Sequence, residues 1–270
     1  MGEIDLPPDD ELPADHRAGF VSVIGQPNVG KSTLMNALLG EKVAIVSPKP
    51  QTTRERQLGI MTLPQAQLVF VDTPGIHKAR NRLGEFMVEV ATETIPDADV
   101  ILFLVDVSRM PNRVDEAIAE LIKDRVDEIP VILALNKSDL LPPEHVIPYS
   151  DAYRALVPRA HWMLISATRG DNQDKLLQLL IDSLPLGPQY YPADQLTDQR
   201  LRDTVAEIVR EKALRLLEEE VPHSVAVQVE EFKERNENLT YISATVYVER
   251  ESQKGILIGH KGRMLKKIGQ

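Results

Sequence analysis

Gly25-Gln26-Pro27-Asn28-Val29-Gly30-Lys31-Ser32 follows an apolar run over 20–24 and leads into Leu34, Leu38 and Leu39 at helical spacing. The octapeptide fits G-x-x-x-x-G-K-[ST] between a strand and a helix, a loop whose glycines let successive backbone N–H groups turn inward around phosphates. Lys31 would reach the β- and γ-phosphates and Ser32 would offer its hydroxyl to Mg²⁺. The helix starting near Lys31 would add the positive end of its dipole. The candidate phosphate-binding residues are Gly25, Asn28, Val29, Gly30, Lys31, Ser32 and Thr33. A glycine-rich turn without a ligand is the competing reading, and the flanking strand and helix weigh against it.

Outward from this loop, strand-like apolar runs at 20–24, 58–62, 68–72, 100–106, 131–136 and 163–166 alternate with amphipathic segments at 82–95, 113–126, 145–157 and 172–184. That alternation predicts an α/β domain with a mostly parallel sheet and helices on both faces. The runs at 58–62 and 68–72 are close enough to form a hairpin, so one edge strand is expected to be antiparallel. Pro185, Gly187, Pro188 and Pro192 signal an extended connection over 185–199. Beyond it, Leu201, Val205, Ile208, Val209, Ala213, Leu216 and Leu217 recur at helical spacing, followed by strand patterns at 225–229 and 241–248.

The chain has 270 residues, enough for two domains, and no apolar run near the roughly 18–20 residues needed to cross a bilayer. Its first sixteen residues hold six acids, three prolines and no lysine or arginine, the reverse of a targeting peptide; residues 1–17 are read as a disordered acidic tail. The absence of cysteine excludes disulfides and thiolate metal sites and is compatible with the cytoplasm. A net charge of −10 hides an asymmetry: residues 1–199 carry 18 Lys/Arg against 29 Asp/Glu, residues 200–270 carry 13 against 12. Residues 252–270 contain Lys254, Lys261, Arg263, Lys266 and Lys267 and no acid.

Four more elements follow the phosphate loop in the order a guanine-nucleotide switch requires. Asp72-Thr73-Pro74-Gly75 ends a strand, where Asp72 can hold a water on Mg²⁺ and the Gly75 N–H can meet a γ-phosphate. Asn136-Lys137-Ser138-Asp139 ends another, and a carboxylate at Asp139 can accept from both N1–H and the exocyclic amine of guanine, a pair of donors adenine lacks. Lys137 would lay its stem along the base, and Asn136 would tie this motif to the phosphate loop. Ser166-Ala167 closes the last strand, with the Ala167 N–H placed to meet the guanine oxygen. The switch candidate between loop and Asp72 is Gln51-Thr52-Thr53-Arg54, whose hydroxyls could complete the Mg²⁺ shell; Thr53 is favoured, with Thr52 left open. Taken singly, each of these is ordinary turn chemistry. Near the C-terminus, Gly259-His260-Lys261-Gly262 fits the G-x-x-G of KH domains, which clamps a short single-stranded RNA segment. Lys254, Lys261 and Arg263 would contact phosphates, and Ile256, Leu257 and Ile258 would line a groove for bases, with His260 inside the loop.

Together these motifs resemble the translation-factor-related GTPases. The segments at 191–192, 197–198, 208–212 and 252–262 narrow the resemblance to the Era family of GTPases. It implies a Ras-like P-loop GTPase domain over 18–184 and an α+β KH domain of the second type over 200–270. The implied ligands are GTP, GDP and Mg²⁺. The implied partners are small-subunit ribosomal RNA near its 3′ end and the small ribosomal subunit; the chain is read as a monomer with no transmembrane segment, and peripheral membrane association is left open but not indicated. The alternative is an RNA-binding scaffold whose hydrolysis is incidental. Family KH domains continue through a complete second helix and a further strand, whereas Gln270 falls a few residues into that helix. Either a tail follows Gln270 or the domain is incomplete; only in the second case is weak RNA binding with intact GTP binding expected.

Where Ras-like switches carry a water-orienting glutamine, this chain has Ile76. Intrinsic hydrolysis is therefore expected to be slow. His77 reads as a bystander rather than a base. Asn28 is assigned to help hold a monovalent cation, K⁺, beside the phosphates, as in relatives with asparagine there. Turnover should be faster in KCl than in NaCl, and Asn28→Ala should erase the difference; equal rates in both salts would remove K⁺ from the reading.

Overall fold

The computed structural model describes residues 12–47, 49, 52–54, 56–76, 82–236 and 239–270, with the backbone alone at 82–87, 124 and 126. Gln51, His77 and the acidic stretch over 1–11 lie outside those residues. The chain divides into two compact units, one holding Thr53–Asp198 with the chain up to Ala44, the other Gln199–Gln270 with Ile45–Thr52.

In the first unit, β1 (Arg17–Ile24), β2 (Gln57–Leu63), β3 (Ala66–Asp72), β4 (Val100–Asp106), β5 (Val131–Asn136) and β6 (His161–Leu164) form one sheet in the order β2-β3-β1-β4-β5-β6. Only β2 pairs antiparallel, through a two-residue turn to β3. Every residue of β4 is buried, because helices cover both faces. Leu102 and Leu104 point to α1 (Lys31–Leu39) and α5 (Gln173–Ser183), meeting Leu34, Met35, Leu176 and Leu180. Ile101, Phe103 and Val105 point the other way, to α2 (Arg82–Glu93), α3 (Arg113–Ile122) and α4 (Val146–Leu156), meeting Ala91, Ile118, Ile122 and Tyr153. Each such fully buried side chain contributes roughly 1.5–3 kcal/mol. The parallel strands all run the same way, so β1, β3, β4 and β5 present their carboxyl ends together, where open α/β sheets bind ligands.

The last strand ends at Leu164, not at Ser166. Ser166 is drawn into a turn, its N–H donating to the Asp171 carbonyl and its own carbonyl accepting from Gly170, which leaves nothing for the ladder. Residues 185–198, read from their prolines as a connection, are strapped to the first unit. Ala18 N–H donates to Pro185, Gly187 N–H to His16, and Ile60 N–H to Leu196. The Tyr190 ring lies 5.2 Å from Phe20, and Tyr191 covers the Leu58, Ile60, Val69 and Val71 face.

The second unit contains α6 (Leu201–Leu216), β7 (Ala226–Asn236), β8 (Leu239–Tyr247), α7 (Glu251–Ile258) and α8 (Arg263–Ile268). Ala213, Leu217, Leu257 and Ile268 are buried with Val227 and Val246 packed against them. The β7–β8 hairpin extends past the expected 225–229 to Asn236, because backbone pairing continues across two bulges where the apolar alternation stops. On α6, Leu201 and Ile208 are exposed while Arg210 and Glu211 are buried. Arg210 pairs with Glu207 at 2.5 Å and donates to the Thr52 carbonyl; Arg215 donates to the Val46 carbonyl at 2.8 Å. These bonds bring Ile45–Thr52 into this unit.

Gln67, fully buried, holds the strap with both ends of its amide. Its Oε1 accepts from Tyr190 N–H at 2.7 Å and Tyr191 N–H at 3.0 Å, while Nε2 donates to the Tyr191 carbonyl at 2.8 Å. Gln67→Met keeps the volume and abandons four polar groups, the three of the strap and the Thr62 hydroxyl, so urea unfolding should show a loss of about 2–4 kcal/mol. Chymotrypsin should then cut after Tyr190 or Tyr191. An unchanged midpoint and cleavage pattern would show that the strap does not depend on Gln67.

Candidate nucleotide-binding site

The phosphate loop turns between β1 and α1 with Gly25, Asn28 and Gly30 at positive φ, the last two at 63° and 105°. A Cβ on Gly30 would stand 2.4 Å from Asn136 Nδ2, so glycine is required there by approach as well as by dihedral. Lys31 is buried inside the loop, its Nζ donating to the Gly25 carbonyl at 3.2 Å and the Gln26 carbonyl at 3.1 Å. Burial lowers its pKa to about 8, and the charge of Asp72 works against that shift. Asp72 is itself wholly buried, and desolvation raises its pKa despite Lys31 and the hydroxyls it accepts from.

Asp72 Oδ2 accepts from Ser32 Oγ at 2.6 Å and lies 3.5 Å from Thr53 Oγ1, with the two hydroxyls 3.2 Å apart. Its Oδ1 is buried without a hydrogen-bond partner. Two hydroxyls and a carboxylate, one of whose oxygens is buried and unsatisfied, form the all-oxygen donor set that suits a hard divalent cation. Thr52 is turned elsewhere, its hydroxyl donating to the Lys49 carbonyl at 2.7 Å, which separates the two threonines. Arg54 follows Thr53 and is half-buried.

On the far side, Thr73 donates to the Val23 carbonyl at 2.8 Å and Pro74 is buried. A Cβ on Gly75 would fall 2.4 Å from Pro27 N, so the phosphate loop itself, as well as any γ-phosphate, excludes a side chain there. Ile76 donates its N–H to the Gly25 carbonyl at 3.0 Å, and its side chain is buried among Ile24, Ala91, Ile95 and Phe103. It belongs to the core.

The base-side loop is assembled around Asn136. Its Nδ2 donates to the Val29 carbonyl at 2.7 Å and its Oδ1 accepts from Ala167 N–H at 2.9 Å. The Ala167 amide, expected to face a base, is thus engaged within the protein. Asp139 accepts from Ser166 Oγ at 2.7 Å, which aims its carboxylate. Lys137 adopts the left-handed region at φ 65°, and its ammonium pairs with Asp106 at 2.7 Å. Sequence reasoning missed Asp106. Despite partial burial, its pKa is held low by hydrogen bonds from Lys137 and Ser108. The signal was available, because Asp106 closes an apolar strand as Asp72 does and sits in register with Asn136.

In the second unit, Gly259 to Gly262 joins α7 to α8, with Gly259, Lys261 and Gly262 at φ 69°, 52° and 75°. His260, Lys261 and Arg263 are exposed, as are Ile256 and Ile258, whereas Leu257 is a core residue rather than part of a groove. Lys254 is exposed and pairs loosely with Glu251 at 3.2 Å.

A family model described as 50S ribosome-binding GTPase matches residues 20–137, and a KH domain model matches 220–270. The GTPase Era of Geotalea daltonii is 54% identical over 252 residues, covering 93% of this chain and 84% of that protein. The chain belongs to the Era GTPase family. Another member, from Halothermothrix orenii, is 50% identical over 260 residues, covering 94% of this chain and 86% of that protein. A crystal structure of Era with MgGDPNP and nucleotides 1506–1542 of 16S ribosomal RNA superposes with a TM-score of 0.89 at 44% identity, covering 94% of this chain and 86% of that one. A point variant of Aquifex aeolicus Era bound to GDP and tetrafluoroaluminate gives 0.87 at 43% identity, with the same coverage. No helix among the described residues is long and apolar enough to cross a membrane.

The Lys31 amine, lowered to about 8, sets a pH dependence for nucleotide binding. Below that pH the empty site already holds the charged form that phosphates need. Above it each nucleotide must bring a proton. GDP affinity should fall as pH rises from 7 to 9, approaching roughly tenfold per unit. Calorimetry in buffers of different ionisation enthalpy should show the matching proton uptake, and a flat profile without uptake would contradict it.

Proposed function

We propose that this protein is a GTP-hydrolysing switch that binds small-subunit ribosomal RNA near its 3′ end and acts in assembly of the small subunit, in the cytoplasm. The observation that carries the reading is the Ser32, Thr53 and Asp72 oxygen cluster beside the buried Lys31. Mg²⁺, when bound there, would neutralise phosphate charge. Ser32 and Thr53 would offer it their hydroxyls, and Asp72 would hold one of its waters. Lys31 would exchange two loop carbonyls for phosphate oxygens, and the amides from Asn28 to Thr33 would take the rest. Asp139, aimed by Ser166, selects guanine, and Lys137, anchored on Asp106, lays its stem against the ring.

Ile76 cannot orient water from within a hydrophobic core. Water would instead be oriented by backbone groups of the two switch segments, Asn28 would help hold a K⁺ if one binds beside the phosphates, and turnover would be slow. RNA is taken by the exposed basic loop His260, Lys261, Gly262 and Arg263, with Lys254, Ile256 and Ile258 beside it. Support comes from the Era complex with a 16S fragment, whose chain is 44% identical to this one.

The burial of Ile76 also favours a second reading, an RNA-docking scaffold whose hydrolysis is incidental. RNA affinity for a 3′-terminal small-subunit oligonucleotide, measured with GDP and with a non-hydrolysable GTP analogue, decides between them. The switch reading expects a difference between nucleotides that Lys31→Ala and Asp72→Asn abolish, with affinity falling steeply as salt rises. Variants that bind RNA and support assembly normally would establish the scaffold instead.

A further inference from the structure

Gln26, the first variable residue of the phosphate loop, is buried against the segment that follows β4. Its Nε2 donates to Asn112 Oδ1 at 3.0 Å. Its Oε1 accepts from Arg109 at 3.4 Å and from the Asn112 amide at 3.5 Å. Asn112 is itself immobilised as the N-cap of α3. Its Oδ1 accepts from Val114 N–H at 2.8 Å, and its own N–H donates to the buried Asp115 carboxylate at 3.0 Å, which closes a capping box. Capping accounts for Asn112, Val114 and Asp115. It does not account for Gln26, which the cap does not need.

The main chain of Gln26 is where this attachment matters. Its carbonyl and that of Gly25 accept from Lys31 Nζ. Two residues on, Asn28 sits at a φ of 63°, in the left-handed region that asparagine tolerates better than most side chains. Pro27 between them is packed against Gly75. Once Lys31 turns to a phosphate, the Gln26 side chain is what still ties this limb of the loop to a rigid helix end.

We propose that Asn112 is a positioning residue for the nucleotide site, acting through Gln26 to hold the near limb of the phosphate loop in its binding shape. The inference rests on the reading of this loop as the nucleotide site. Its signature is kinetic: a loop freed at Gln26 should lose nucleotide faster without loss of fold.

Release of a fluorescent GDP analogue from the full chain, followed by stopped flow beside thermal unfolding, tests it. Serine caps helices well but is too short to reach Gln26. Asn112→Ser should therefore keep Tm and speed release by roughly five- to tenfold. Gln26→Ala should do the same, and the double variant should be no faster than either alone. Asn112→Asp retains the shared acceptor oxygen and should restore slow release. Unaltered release from Asn112→Ser, effects of the two changes that multiply, or faster release only in step with a lower Tm would each overturn the proposal. A parent chain that binds no GDP analogue would instead sink the nucleotide reading itself.

Discussion

A single buried amide, that of Asn136, joins the loop suited to phosphates to the loop suited to a base: it donates to the Val29 carbonyl and accepts from Ala167 N–H. Neither loop belongs to the sheet, and short local turns satisfy only part of their polar groups. Each group left without a partner would cost roughly 1–3 kcal/mol. The absence of a side chain at Gly30 follows from the same bond, since the amide occupies the space a Cβ would need. β5 delivers Asn136 to this position because it is buried on both faces and its register against β4 is set by the core.

The second constraint is electrostatic. Lys31 and Asp72 are both buried, and burial disfavours the charged form of each, while their mutual attraction recovers part of the cost. A site of this kind has charge prepared for a ligand that supplies anionic oxygens to the amine and a cation to the carboxylate. The unpartnered Asp72 Oδ1 expresses the same preparation. Ile76 stands at the other extreme, a position where polarity would serve hydrolysis and where the fold instead takes a core residue. The site is thus organised more fully for holding nucleotide than for attacking it.

Much of this was legible in the linear chain. The strands read out because runs such as 100–106 and 131–136 are continuously apolar, as parallel strands covered on both faces must be. Helix faces read out by spacing, yet on α6 the pattern misled: Leu201 and Ile208 are exposed, and Arg210 and Glu211 take the buried places through ion pairs and backbone carbonyls. Prolines over 185–192 look alike whether a segment is free or strapped. What straps it is Gln67, whose partners lie more than a hundred residues away. The end of β6 moved because Ser166 spends its backbone groups on a turn.

The kinds of residues and their order belong to the sequence alone. Phosphate, a hard cation and guanine each demand particular donors and acceptors, and short loops at strand ends can supply them only from neighbouring positions, so the motifs survive as local patterns. Which of these groups are engaged was decided by the tertiary structure. Thr53 rather than Thr52 meets Ser32 and Asp72, Ala167 gives its amide to Asn136, Asp106 anchors Lys137, and Ile76 turns into the core. Each of those outcomes depends on a partner distant along the chain, and only folding sets that distance.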